Sequence, residues 1–151
     1  MIRVGVITVG AHGPGMRGSR DICAQVIADL LPRIGAGIRR YELVRENRGD
    51  ISLSIIRMAD GGEIDLVLTV GGMEDGLAPE ATEDVMDAEV TDLTGMIRAR
   101  GLDGSTAGLR KDTLIVNLPN DPGIIHRYLG EILPALELTL RGTKKRERDP
   151  R

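Results

Sequence analysis

Three short apolar runs, each emptying into a glycine- or proline-rich loop, constrain this chain more than any other feature. Val4 to Val9 is continuous and rich in β-branched residues, Asp65 to Thr69 follows the same pattern, and Leu114 to Asn117 repeats it. Runs of this length without alternation read as strands buried on both faces, which is the habit of parallel sheets. Between them lie helical stripes. Ile22, Val26, Ile27, Leu30, Leu31 and Ile34 recur at a 3.6-residue period, with Ser19 or Gly18 expected as the cap and Pro32 ending or kinking the last turn. Ile51, Ile55, Ile56 and Ala59 form a second stripe, expected to be capped by Asp50 and closed by Gly61-Gly62. Arg39 to Val44 alternates weakly and reads as a strand. Further helices are expected from Pro79 to Val85, with Pro79 in the first position, and from Leu93 to Arg100. A last helix is expected from Pro122 to Leu140, interrupted at Pro134.

Strands alternating with helices imply right-handed βαβ units and a mostly parallel sheet. The core of such a sheet has to be aliphatic here. The 151 residues include no Phe and no Trp, and the only aromatic side chains are Tyr41 and Tyr128. Residues 1–141 are expected to form one domain, with 142–151, GTKKRERDPR, as a charged flexible tail. A net charge of −3 leaves no basic footprint, so nucleic acid is not an expected partner. No apolar run approaches the ~20 residues that cross a bilayer, so no membrane partner is expected. The start, MIRVGVITVG, reads as a strand and not as a signal peptide. The single Cys23 sits among Ile22, Val26 and Ile27, reads as a small core residue, and suits a reducing cytoplasm.

Ligands of open parallel sheets bind beyond the carboxyl ends of the strands. Three loops leave in that direction: Gly10 to Gly18, Gly71 to Pro79 and Leu118 to Pro122. In the second, TVGGMEDGLAPEAT, Gly71 and Gly72 can form an anion nest in front of a helix amino terminus, or merely a tight turn after a strand. The turn holds no Lys or Arg. Its Asp75 or Glu74 can hold Mg²⁺ against substrate phosphates, or stand simply as an exposed acidic turn. No P-loop is present, and Gly10-x-x-Gly13-x-Gly15 is out of register with a dinucleotide fingerprint. His12 lies in the first loop as a candidate ligand contact. His126 reads as a surface or interface residue, and neither histidine has zinc spacing.

The third loop carries a family resemblance. DTLIVNLPNDPGIIHRYLGEILPAL, residues 112 to 136, resembles the carboxyl third of the Mog/MoaB family of molybdenum cofactor biosynthesis proteins, where a strand ends in Asn-Leu-Pro-Gly-x-Pro and a helix follows. IDLVLTVGGMEDGLAPEAT, residues 64 to 82, resembles that family's strand, Gly-Gly-Thr-Gly turn and Thr-Pro-Glu-Ala segment, and VGVITVG resembles its first strand. Asp87 to Lys111 matches least. The resemblance implies a three-layer α/β/α molybdopterin-binding domain, a pterin as ligand, possible adenylylation of it with Mg-ATP, and a homotrimer or a hexamer of trimers. The ligand contacts it implies are Gly10, His12, Gly71, Gly72, Met73, Pro79, Glu80, Asn117, Pro119, Asn120 and Pro122. It implies Asp75 as the catalytic carboxylate, with Asp75, Glu46 and Asp50 as holders of Mg²⁺.

This sequence departs from the family pattern at several of those places. Gly10 and Ala11 stand where the first strand usually ends in Ser-Asp, Met73 and Glu74 replace the Thr and second Gly of the turn, and Asp75 is displaced by one residue. Asn120 replaces a glycine, and a left-handed backbone is expected there because Asn tolerates it best. These changes fall on the phosphoryl-transfer chemistry more than on the scaffold. Three functions follow: an adenylyltransferase, a pterin-binding or carrier module without catalysis, and an oligomeric scaffold that keeps the fold for another ligand.

Overall fold

The computed structural model describes residues 1–10 and 21–148, with side chains described as far as 143. The chain runs β1 (Ile2–Val9), α1 (Ile22–Leu30) with a 3₁₀ turn (Leu31–Ile34), β2 (Ala36–Val44), α2 (Arg48–Asp60) and β3 (Leu66–Val70). It continues through α3 (Leu77–Val85), β4 (Ala88–Glu89), α4 (Thr91–Ala99), β5 (Ala107–Arg110), β6 (Thr113–Leu118) and α5 (Pro122–Arg148). The strands form one six-stranded sheet in the order β2-β1-β3-β6-β5-β4. β2, β1, β3 and β6 are parallel, and the β5 and β4 pairings are antiparallel.

Alternation along the strands divides the core into two layers, one on each face. Val4, Val6, Leu66, Leu68, Leu114 and Val116 point to one side, where Cys23, Ile27 and Leu30 of α1, Leu93 and Ile97 of α4, and Ile125, Leu129 and Leu136 of α5 cover them. Ile7, Val9, Val67 and Ile115 point to the other, against Ile51, Ile55 and Met58 of α2 and Ala81 and Val85 of α3. Each fully buried Ile, Leu or Val contributes about 1.5–3 kcal/mol of transfer free energy. The three-layer α/β/α architecture with a mostly parallel sheet is the one expected from the sequence.

Several local expectations are corrected. The cap of α1 is Asp21, whose carboxylate accepts from Ala24 N at 3.0 Å; the expected Ser19 and Gly18 lie outside the described residues. The cap of α2 is Asn47, whose Oδ1 accepts from Asp50 N at 3.0 Å, so Asp50 belongs to the first turn. α3 opens at Leu77, which puts Pro79 third and not first. α5 runs through Pro134 without a break and past Leu140 to Arg148, with Leu133 and Leu136 buried on either side of the proline. Asn120 does not have a left-handed backbone: Lys111, at φ 53°, is the only non-glycine with positive φ among the described residues. β4 and β5 were not expected. Among the described residues no helix is long and apolar enough to cross a membrane.

Candidate functional site

β1, β3 and β6 end side by side, and the loops that follow them enclose a cavity of about 420 Å³. Val9 closes it from β1, Gly71 to Asp75 from the turn after β3, Pro119 to Asp121 from the segment after β6, and Glu46 from the segment between β2 and α2. The turn owes its shape to glycine. Gly71 has φ +94° and Gly72 φ +69°. A Cβ on Gly71 would lie 2.9 Å from Val9 O, and one on Gly72 would lie 3.3 Å from both Ala78 Cβ and Val9 Cγ1. Glycine is therefore required first by packing against β1 and α3.

The amide inventory of the turn differs from a simple two-glycine nest. Gly71 N donates to Leu118 O at 2.9 Å, which spends that group on joining β3 to β6. Gly76 N donates to Met73 O at 3.1 Å and Ala78 N to Gly72 O at 2.9 Å. No hydrogen bond among the described residues uses the N–H groups of Gly72, Met73, Glu74 or Asp75. These four consecutive residues line the cavity just before the amino terminus of α3, whose cap, Gly76, offers no side-chain acceptor. Backbone donors followed by a positive helix end suit an anion.

The side chains have the opposite sign. Glu46, Glu74, Asp75 and Asp121 line this cavity, and its described lining contains no Lys or Arg. Asp75 Oδ1 accepts from Leu77 N at 3.3 Å, and Glu46 lies beside Gly10, where a Cβ would come within 2.9 Å of Glu46 Oε1. Among the described residues no three His, Cys, Asp or Glu side chains are arranged around a common ion position. The donor set still fits Mg²⁺ in its usual form, one or two carboxylates completed by substrate phosphates.

A second cavity, about 540 Å³, adjoins the first and shares Met73, Pro119, Asp121 and Ile124 with it. Its outer wall is Gly101, Leu102 and Asp103 from the α4–β5 connection, with Arg127 and Tyr128 from α5. The Arg127 guanidinium carbon stands 5.3 Å from the Tyr128 ring centroid, within cation–π range.

The structure thus brings together Gly10, Glu46, Gly71, Gly72, Met73, Asp75, Pro119 and Asn120. Other expected site residues stand elsewhere. Glu80 is tied to Arg48 Nη1 at 2.8 Å, and Pro79 is buried in α3. Asp50 pairs with Arg45 Nε at 2.9 Å beside a separate depression that includes Leu43 and Leu53, so it does not join Asp75 and Glu46. Pro122 opens α5 beneath Asp121, whose Oδ1 accepts from Ile124 N at 3.0 Å. Asn117 is fully buried with its amide engaged inside the protein, so it does not line either cavity. His12 lies outside the described residues.

Sequence reasoning missed the second cavity. Tyr128 had the spacing of a core residue on a helical stripe, and nothing marks Gly101 to Asp103 as a wall. Cys23 is buried as expected. Burial, with the Asp21 and Asp121 carboxylates nearby, pushes its thiol up to about 11, and its Sγ donates to Asn120 Oδ1 at 3.2 Å. Burial and this hydrogen bond both favour the protonated thiol, as suits a packed core residue.

Residues 5–138 match the family described as "Probable molybdopterin binding domain". A molybdopterin adenylyltransferase of Helicobacter pylori (strain ATCC 700392 / 26695) is 35% identical over 107 residues, 64% of this chain and 61% of that protein. The chain thus spans about 61% of the length of that curated relative. The crystal structure of the molybdopterin biosynthesis enzyme MoaB from Thermus thermophilus superposes with a TM-score of 0.78 at 34% identity, covering 93% of this chain and 97% of that one. The tungsten cofactor synthesizing protein MoaB from Pyrococcus furiosus has the same fold, with a TM-score of 0.74 at 21% identity over 94% of this chain and 96% of that one. An unrelated ligand on a retained scaffold is not favoured by a family match that runs nearly end to end.

Proposed function

We propose, for a chain that belongs to the molybdopterin-binding domain family, that it serves molybdenum cofactor biosynthesis by binding molybdopterin at the sheet end. The observation that carries this reading is the run of four cavity-lining residues, Gly72 to Asp75, whose N–H groups no described residue claims. Molybdopterin ends in a phosphate, and a string of backbone donors can hold it without any lysine. The adjoining cavity, with Leu102, Ile124 and Tyr128, offers an apolar surface for the pterin ring system.

Adenylylation with ATP is the reaction that such a site supports. A phosphate oxygen of the pterin attacks the α-phosphorus of ATP, a new P–O–P link forms, and pyrophosphate leaves. The pterin phosphate and the ATP triphosphate, brought into a cavity lined by four carboxylates, are repelled by them, so transfer needs a counter-charge. Asp75 and Glu46 are the residues that would hold a magnesium ion, which would neutralise the phosphates. This chain's own part is to orient the pterin phosphate on residues 72–75 and to fix it against Pro119 and Asn120. Binding depends on backbone and is robust; transfer depends on a carboxylate in one place and is fragile. The protein therefore binds molybdopterin more readily than it turns over ATP. A homotrimer or a hexamer, and a cytoplasmic location, complete the proposal.

The test mixes protein, molybdopterin, Mg²⁺ and labelled ATP, and follows retained pterin, adenylylated pterin and pyrophosphate. Retained pterin is expected even where pyrophosphate release is slow. A protein that retains no pterin would overturn the reading.

A further inference from the structure

One buried amide ties the walls of both cavities together. Asn117 is 0% exposed. Its Nδ2 donates to Thr69 Oγ1 at 2.9 Å and to Thr82 Oγ1 at 3.0 Å, and its Oδ1 accepts from Thr106 N at 3.0 Å. The Asn117 carbonyl also accepts from Ser105 Oγ at 2.8 Å. Both amide hydrogens are spent on separate chain segments, and a third segment takes the oxygen.

Each partner leads directly to a wall. Thr69 precedes the Gly71 turn on β3. Thr82 Oγ1 donates its own hydrogen bond to Ala78 O at 2.9 Å, and Ala78 N donates to Gly72 O at 2.9 Å. Thr106 follows the Leu102–Asp103 wall of the second cavity. Asn117 itself stands on β6 just before Pro119, which both cavities share. A leucine would fill nearly the same volume but take from Thr69 Oγ1 and Thr106 N their bonds to the amide and leave Thr82 Oγ1 only its bond to Ala78 O.

We infer that Asn117 is a positioning residue that sets the spacing between the two cavities by holding the 72–76 turn and the 102–106 segment to one amide. The ligand that spans them rests on the function proposed above; the geometric coupling does not. A purely stabilising residue would behave instead like Thr113. Thr113 lies on the same strand, is buried, and donates to Ile64 O at 2.7 Å at the far end of the sheet.

The experiment compares Asn117→Leu, Thr82→Val and Thr113→Val with the wild type, each at the same margin below its own melting temperature. It reads amide hydrogen exchange segment by segment, and molybdopterin affinity separately. Asn117→Leu is expected to speed exchange about tenfold or more at the bonded amides of 76–78, which close the turn, and in 102–106. Thr82→Val should do so in 76–78 alone, and Thr113→Val in neither. Molybdopterin affinity is expected to fall about tenfold or more in Asn117→Leu and to hold in Thr113→Val. An exchange pattern in Asn117→Leu no different from Thr113→Val overturns the inference, as does faster exchange with unchanged affinity. If Asn117→Leu does not fold, Thr82→Val against Thr113→Val decides by the same pattern. A wild type that binds no molybdopterin, with the exchange pattern intact, refutes the proposed function and leaves Asn117 in its role.

Discussion

Gly71→Ala probes the hinge of the site most directly. Gly71 has φ +94°, beyond the narrow left-handed region near φ +60° that L-residues tolerate. Holding alanine there costs roughly 1–3 kcal/mol in backbone strain. The new methyl would also come within 2.9 Å of Val9 O, a carbonyl at the end of a strand paired on both sides, so it cannot swing away. Forced displacement of packed atoms costs about another 1–3 kcal/mol. The sum is about 2–6 kcal/mol, which for a domain of this size lowers Tm by roughly 5–20 °C. Gly35→Ala is the matched control. Gly35 has φ +66° and open space where its Cβ would go, so only the strain term applies, about 1–2 kcal/mol. Thermal and urea unfolding of the two variants decide the matter. Equal losses would show that the contact with Val9 O costs nothing, and would leave the glycine requirement at residue 71 to ligand approach.

Other outcomes follow from single groups. Lys111→Gly should stabilise by up to about 1 kcal/mol in urea unfolding, because it relieves φ 53° in the β5–β6 turn; a loss would show that the Lys111 contact with Asp60 at 3.5 Å outweighs the strain. Burial pushes the Asp21 carboxyl up, but donors from Thr8 Oγ1 at 2.5 Å, the Tyr41 hydroxyl and Ala24 N outweigh it and hold the group below the usual carboxylate range. Its stabilising effect is then complete above the unfolded value of about 3.9 and fades as pH falls through the lower folded value, so urea midpoints of wild type and Asp21→Asn should converge on acidification; a constant gap would refute the assignment. Asp75→Ala should hold molybdopterin within about twofold of wild type while removing magnesium-dependent pyrophosphate release. Rapid turnover that survives the change would place the catalytic carboxylate elsewhere.

What was legible in the sequence is what burial writes into it. Val4 to Val9 and Leu114 to Asn117 lie in the sheet interior, so both faces select apolar side chains and the strands announce themselves. β5 reads Ala-Gly-Leu-Arg and β4 is two exposed residues; both exist because β6 offers an edge to pair with, and no local pattern encodes that. Caps failed for a related reason. Asn47 and Asp50 are both good caps, and which one serves depends on where the chain leaves β2. Pro134 lacks only one amide donor, and the packing of Leu133 and Leu136 on α5 outweighs that loss. At the site the glycines were found, and a tight turn after the strand was one of the two causes offered; the neighbours that require it were not legible. Gly71 and Gly72 admit Val9 and Ala78, and the N–H of Gly71 is already spent.

The position of the cavity follows from strand order, which the sequence did not contain. From β1 the chain crosses to β2 on one side and returns past β1 to β3 on the other. The two crossovers diverge and leave a crevice beyond the carboxyl ends of β1 and β3, the place where open sheets of this kind bind ligands. There the walls are Val9 and Gly71, whose backbones nearly touch. A floor built this closely from main chain can present amide donors but has little room for side chains. The side chains that can act must come from the rim, and the rim of this chain is acidic, with Glu46, Glu74, Asp75 and Asp121. Changes such as Met73 or Glu74 therefore alter the rim while the floor stays fixed by packing. The proposed binding of a phosphate-bearing ligand would rest on this floor, and the proposed transfer on the rim carboxylates Asp75 and Glu46, so Asp75→Ala should separate the two while Gly71→Ala should threaten both.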